Sequence, residues 1–120
     1  MCKVKGLGID LCAVSRMESL VGDGRFVSRY FTPEEAAYIA GKGRGGAQTM
    51  AGMFAAKEAV LKAMGCGIAV PLREVEITHD EAGQPGCTLH GEAARRGAGS
   101  WQVSITHEGD MAAAVCLWMA

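Results

Sequence analysis

The segment from Met111 to Met119, MAAAVCLWM, constrains the fold more than any other, because it is apolar at successive positions and so on both faces of a pleated strand. A strand of that kind has to be covered on both sides. It follows a run in which Trp101, Val103 and Ile105 alternate with Gln102, Ser104 and Thr106, and the turn His107-Glu108-Gly109-Asp110 separates the two. The 120 residues make up a single domain, 1–120. So small a domain has few elements to cover two faces, which leaves part of the last strand to a neighbouring subunit.

From Ala47 to Met64 the apolar positions Met50, Met53, Phe54, Val60, Leu61 and Met64 recur at helical spacing, with Gly65 as the stop. This long helix supplies one cover. The chain opens with a strand in which Leu7, Ile9 and Leu11 alternate with Gly6, Gly8 and Asp10, its glycines permitting close backbone approach. Ser15 and Glu18 have capping-box spacing, and Thr32-Pro33-Glu34-Glu35 supplies an N-cap, a first-turn proline and an acid at the third position, so two short helices follow. Gly41-Lys42-Gly43-Arg44-Gly45-Gly46 reads as a mobile loop before the long helix. Val75 and Ile77 start a hairpin that turns at Asp80 to Pro85 and returns through Leu89. The sum is an α+β domain, a long helix packed on a small, mainly antiparallel sheet.

The composition, 49% hydrophobic and 21% charged, excludes disorder for the bulk of the chain. No apolar run approaches the roughly 20 residues of a membrane span, and Met1 to Gly6 lacks the apolar stretch of a secretory signal. A soluble, unexported, cytoplasmic protein with no membrane partner is expected. Cys2, Cys12, Cys66, Cys87 and Cys116 are odd in number and include no C-x-x-C pair, so buried reduced thiols are favoured over disulfides, a zinc site or a catalytic thiol. The charge is uneven: residues up to Lys62 hold nine Lys and Arg against six Asp and Glu, and the remainder three against seven. Arg16, Arg25 and Arg29 form either a basic patch for an acidic partner or a solvated helix face. A pI of about 6.3 and the lack of an aromatic-rich basic stripe count against nucleic acid.

Five side chains stand out chemically. Glu58 and Lys62 lie four apart on the long helix, on a face shared with Ala51 and Ala55 that a ligand can approach closely; the plain alternative is an exposed salt bridge worth about 0.2–0.5 kcal/mol. Asp10 closes an apolar strand, half-buried, and calls for a partner or a cation. With Glu58 it can hold magnesium, which accepts a pair of carboxylates together with waters and phosphate oxygens. His107 ends another apolar strand at a turn, where histidines usually face solvent. Lys57 falls on the apolar stripe of the helix, where snorkelling is the simple explanation.

In order, Gly6-Leu7-Gly8-Ile9-Asp10-Leu11 with Arg16, Arg25-Phe26, Phe31-Thr32-Pro33-Glu34-Glu35, Phe54-Ala55-Ala56-Lys57-Glu58-Ala59 with Lys62, Gly65-Cys66-Gly67-Ile68, and Ser104-Ile105-Thr106-His107 before an alanine-rich strand resemble the bacterial holo-acyl-carrier-protein synthases. The resemblance spans nearly the whole chain. It implies transfer of 4'-phosphopantetheine from coenzyme A to a serine of an apo acyl carrier protein, release of adenosine 3',5'-bisphosphate, and a homotrimer with sites between subunits. It also implies that Asp10 and Glu58 bind magnesium at the coenzyme A pyrophosphate, that Glu58 or a water on the metal is the base, and that Lys62 assists the leaving phosphate. Thr106, His107 and the Gly83-Gln84-Pro85 turn would lie against coenzyme A, and Arg16, Arg25 and Arg29 would meet the carrier protein.

One position departs from the pattern: the resemblance calls for arginine, a coenzyme A phosphate anchor, where this chain has Met53. Arg44, Lys42 or Lys57 then compensates, or affinity falls. Met53 is also the one feature favouring an alternative, a diverged non-catalytic trimeric module that holds carrier protein or coenzyme A without turnover.

Overall fold

The computed structural model describes residues 3–120. Met1 and Cys2, and the reading of Cys2 as a buried thiol, lie outside the described residues. The elements run β1 (Val4–Ala13), α1 (Val14–Glu18), α2 (Gly24–Tyr30), α3 (Pro33–Ala40), α4 (Gly46–Met64), β2 (Val75–His79), β3 (Pro85–Leu89), α5 (Gly91–Arg96), β4 (Ser100–Glu108) and β5 (Met111–Met119). Strands β1, β5 and β4 form one sheet in that order, and β2 and β3 a separate hairpin. Every ladder is antiparallel, as the alternation predicts.

Helix α4 lies across the three-stranded sheet at close range, and glycine sets the distance. A Cβ on Gly8 would sit 1.8 Å from the Ala59 carbonyl oxygen, and one on Gly6 2.2 Å from that of Ala63. Strand β1 therefore turns its glycine face to the helix and its bulky face outward. Residues 6, 8 and 10 share a face, so the same approach carries Asp10 to the helix. Gly8→Ala is expected to cost about 3 kcal/mol or more, the upper end of overpacking penalties because the clash is with backbone; urea denaturation measures it.

The outward turn of β1 leaves one face of the sheet open. Ala112, Ala114 and Cys116 of β5 are buried under α4, but among the described residues nothing covers the opposite face of the sheet. Leu7, Ile9 and Leu11 are 61–65% exposed and Val115 38%. Strand β5 is apolar on both faces, and helix α4 covers one of them.

Other local signals sort by partner. Thr32 and Glu35 form the capping box of α3 with Pro33 in its first turn. Ser15 does not cap α1: its hydroxyl donates to Asp110 Oδ2 at 2.7 Å and its N–H to Oδ1 at 2.9 Å, tying α1 to the β4–β5 turn. The Asp23 carboxylate caps α2, and neither α2 nor α5 was signalled by the patterns above. The glycine-rich stretch is a 3-10 turn, Gly43–Gly45, running directly into α4, rather than an open loop. Gly65 ends α4 in the left-handed region at φ 70°. Cys12 and Cys116 are buried and Cys66 and Cys87 half-buried, all unpaired. Burial pushes the Cys87 thiol up to about 12 and Cys116 to about 11, which keeps both inert.

Lys57 does not snorkel. It is fully buried, and its ammonium donates to Glu35 Oε1 at 2.8 Å, the Val75 carbonyl at 2.6 Å and the Leu72 carbonyl at 3.1 Å. An ammonium has three N–H groups, and here each has an acceptor. Burial lowers its pKa and Glu35 opposes the shift. Glu35 also accepts from the Thr32 and Ile77 N–H groups, so one ion pair joins α3, α4 and β2.

Candidate active site

The glycine face of β1 brings Asp10 to the exposed end of α4, where Lys62 reaches it. Lys62 Nζ donates to Asp10 Oδ1 at 2.8 Å and to the Ile9 carbonyl at 3.1 Å. The helix salt bridge that spacing allows between Glu58 and Lys62 is not formed, because Asp10 is the better-placed acceptor. Hydrogen bonding to Asp10 raises the pKa of Lys62. Glu58, half-buried beside them, is raised first by desolvation and then by the negative charge of Asp10, while Lys62 and Arg16 pull it down. Two carboxylates thus sit close enough to repel, with an ammonium on Asp10 and solvent alongside.

That donor set fits a hard divalent cation. Among the described residues no group of three or more His, Cys, Asp or Glu side chains could hold a metal. A site here would rest on two carboxylates and draw its remaining oxygens from solvent and ligand, which is the habit of magnesium rather than of calcium or zinc.

On one side of Glu58 opens a groove of about 640 Å³ whose lining includes Arg16, Arg29, Phe26, Tyr30 and Phe54. The rings cluster, with centroids 4.9 Å apart for Phe26–Tyr30 and 6.2 Å for Tyr30–Phe54. The Arg16 guanidinium lies 5.2 Å over Phe54 and that of Arg29 5.4 Å over Tyr30. Two of the three arginines therefore share this groove; Arg25, in the first turn of α2, is exposed outside its lining. The aromatic floor was not singled out from sequence, since aromatic residues at helical spacing read as core.

The residues expected at coenzyme A divide. Pro85 and His107 line a cavity of about 340 Å³ together with Tyr38, Lys42, Met53 and His79. Gly52 makes room there, because a Cβ on it would stand 3.1 Å from His107 Nε2. Thr106 lies instead on the uncovered sheet face, in a shallow recess with Ile9, Ser104 and Val115. Neighbours along a strand point to opposite faces, so Thr106 and His107 cannot line one site of one chain. Of the three alternatives to arginine at 53, Lys57 is excluded by its burial, Arg44 lies outside the cavity lining, and Lys42 is in it. Tyr38 and His79 had no signal in the sequence.

Known proteins match this chain over nearly its whole length. A family model described as the 4'-phosphopantetheinyl transferase superfamily matches residues 6–116. A holo-[acyl-carrier-protein] synthase of Solidesulfovibrio magneticus is 46% identical over 121 residues, covering 93% of this chain and 95% of the relative. One from Treponema denticola is 40% identical, with 95% and 97% covered. Among solved structures, holo-[acyl-carrier-protein] synthase from Neisseria meningitidis superposes with a TM-score of 0.82 at 30% identity, covering 96% of this chain and 98% of that one. The Helicobacter pylori enzyme in complex with coenzyme A does so with 0.82 at 28%, covering 95% and 99%.

Proposed function

The chain belongs to the 4'-phosphopantetheinyl transferase superfamily, and from that premise we propose that it is a holo-[acyl-carrier-protein] synthase that moves 4'-phosphopantetheine from coenzyme A to a serine hydroxyl of an apo acyl carrier protein. The observation that carries the reading is the meeting of Asp10, Glu58 and Lys62 at the end of the arginine-rimmed aromatic groove. The serine oxygen attacks the phosphorus attached to pantetheine, the bond to the bridging oxygen breaks, and adenosine 3',5'-bisphosphate leaves. Asp10 and Glu58 would hold magnesium, which would supply neutralisation of charge on the split pyrophosphate. Glu58, or a water beside it, receives the serine proton. Lys62 turns from Asp10 to the departing phosphate oxygen and stabilises or protonates it. Mass spectrometry of an apo carrier protein incubated with this protein, coenzyme A and magnesium tests the whole. A pantetheine-sized gain on one serine is expected, and no gain at any carrier concentration leaves only a binding module.

The active form in this reading is a homotrimer. The open sheet face, with Leu7, Ile9, Leu11 and Val115 outward, is the surface a second copy covers, and it displays Thr106, which the chain's own cavity does not reach. Coenzyme A then lies in a cleft between subunits. Sedimentation should give three times the chain mass; a monomer at micromolar concentration that still transfers would refute the shared site.

Arg16, Arg25 and Arg29 face the carrier protein in this proposal, pairing with an acidic helix and steering encounter. Arg16→Glu should lower kcat/KM for the carrier about tenfold at low salt, and the defect should shrink at high salt as screening removes both the attraction and its reversal. Steady-state kinetics with carrier varied at two ionic strengths check this, and unchanged efficiency at low salt removes the arginines from the partner surface.

A further inference from the structure

We propose that Asp110, in the turn between β4 and β5, is a positioning residue for the carrier protein: it holds the start of α1 and through that helix sets where Arg16 stands. The inference rests on the function proposed above for the partner, and on the structure for the residue. Helix α1 has five residues, too few to keep its shape unaided. The N–H groups of a first turn find no acceptor within their own helix. Here the N-cap is Ala13, whose side chain offers none, and the first turn contains no acid. Asp110 supplies what the local sequence lacks. Its carbonyl accepts from the Val14 N–H at 2.7 Å, and its carboxylate accepts from the Ser15 N–H at 2.9 Å and the Ser15 hydroxyl at 2.7 Å. A negative charge there also suits the positive end of the helix dipole.

The register of the sheet delivers Asp110 to that position. Strands β1 and β5 pair antiparallel with Ala13 opposite Met111 at the end of the ladder, so the next residues outward, Val14 and Asp110, face one another. Strand β1 runs into α1 with no residue between, and the helix therefore leaves the sheet within reach of the β4–β5 turn. Helix α2, which carries Arg25 and Arg29, is capped by its own neighbour Asp23. Of the two helices that bear the arginines, α1 takes its cap from a distant turn.

What α1 carries is the arginine whose charge acts on Glu58. Arg16 lines the aromatic groove together with Glu58 and lies 5.2 Å over the Phe54 ring. Among the described residues its guanidinium forms no ion pair, so its place follows from the backbone of α1 and from that ring, and its donors are open to a partner's carboxylate. Met17, the next residue, is fully buried and fixes the helix further along, which leaves its start to Asp110. Asp110 is itself an exposed acid beside a surface that meets an acidic helix. Charge alone therefore predicts that its removal strengthens carrier binding, and positioning predicts that its removal weakens it.

The test measures affinity for an apo acyl carrier protein by fluorescence anisotropy, and then the transfer kinetics, for wild type, Asp110→Ala, Asp110→Asn, Arg16→Ala and the double variant Asp110→Ala with Arg16→Ala. Asp110→Ala should weaken carrier binding about fivefold, the equilibrium effect of one lost helix cap, because α1 is then ordered in only part of the population. Its kcat at saturating carrier and its KM for coenzyme A should not move. Asp110→Asn should bind within about twofold of wild type, since the amide oxygen still accepts from the Ser15 N–H and the Ser15 hydroxyl can turn to accept from the amide nitrogen. In the double variant the change at Asp110 should add nothing to that at Arg16, because it acts through that side chain. Amide exchange of Val14 to Glu18 should quicken in Asp110→Ala and keep the wild-type rate in Asp110→Asn.

Tighter carrier binding in Asp110→Ala, an equal loss in Asp110→Asn, an equal rise in KM for coenzyme A, or full additivity with Arg16→Ala would each overturn the assignment. If the wild type binds carrier in this pattern but transfers nothing, the transferase reading fails and the role of Asp110 stands. If it transfers and Arg16→Ala weakens carrier binding while Asp110→Ala does not, the role of Asp110 fails and the transferase stands. If Arg16→Ala changes nothing, Arg16 leaves the partner surface and the role of Asp110 falls with it.

Discussion

Asp10→Ala and Glu58→Ala are each expected to lower kcat for pantetheine transfer by about 100-fold or more, the usual effect of removing a preorganised electrostatic group from a phosphoryl-transfer site. Neither change should unfold the protein. Asp10 and its partner Lys62 are both solvent-accessible, so their pairing contributes little to stability. Removing Asp10 also takes a like charge away from Glu58, whose raised pKa then falls back toward the ordinary carboxylate value. The loss therefore reports function and not folding, and matching thermal melts of variant and wild type establish this. Glu58→Gln sharpens the assignment, because it keeps the size and one oxygen while removing the proton acceptor. Magnesium titrations of coenzyme A binding should show a lost metal dependence in Asp10→Asn. Full activity of Asp10→Ala with magnesium present would remove the two-carboxylate site from the mechanism.

How far the sequence reveals this site depends on whether an inference needs one element or two. Periods of 2 and 3.6 lie within single elements, and they locate α4, β4 and β5 to within a residue or two. The link between Asp10 and α4 was also readable, because Gly6 and Gly8 share its face and glycine in a strand marks close approach. What spans elements was less legible. Lys57 stood visibly on the apolar stripe, but nothing local names Glu35 as its partner; Glu35 looks complete as the third residue of a capping box, and it performs both roles. Ser15 had a local candidate and took a distant one, Asp110, because the β4–β5 turn lies against α1. Alternation along β1 shows that its two faces differ, and the packing distance to the helix shows that the glycine face goes inside. The division of Thr106 from His107, in contrast, follows from the strand period alone.

Lys57→Met carries the largest expected cost to stability, about 3–5 kcal/mol, against the 5–15 kcal/mol that usually holds a domain of this size together. The methionine fills most of the volume, so the cost is not that of a cavity. It arises because Glu35 is left as a buried charge and the Leu72 and Val75 carbonyls lose their donor. Glu35→Gln should cost less in volume yet still destabilise, since one end of an amide is a donor and all three neighbours of the Glu35 carboxylate, Thr32 N, Ile77 N and Lys57 Nζ, are donors too. The double variant Lys57→Met with Glu35→Met removes both charges and should fall short of the sum of the single losses by at least about 1 kcal/mol, although the Thr32 and Ile77 N–H groups remain without acceptors. Urea denaturation of wild type, Lys57→Met, Glu35→Met and the double variant gives the cycle directly, with equal m-values as the check that the unfolded states match. Additive losses would mean that Lys57 and Glu35 serve their backbone partners independently and that the ion pair is not what joins α3, α4 and β2. If they are coupled as drawn, the same variants should also lose transfer activity at temperatures well below their melting points, because Glu58 is the next residue on α4 and its position on the sheet depends on how that helix is held.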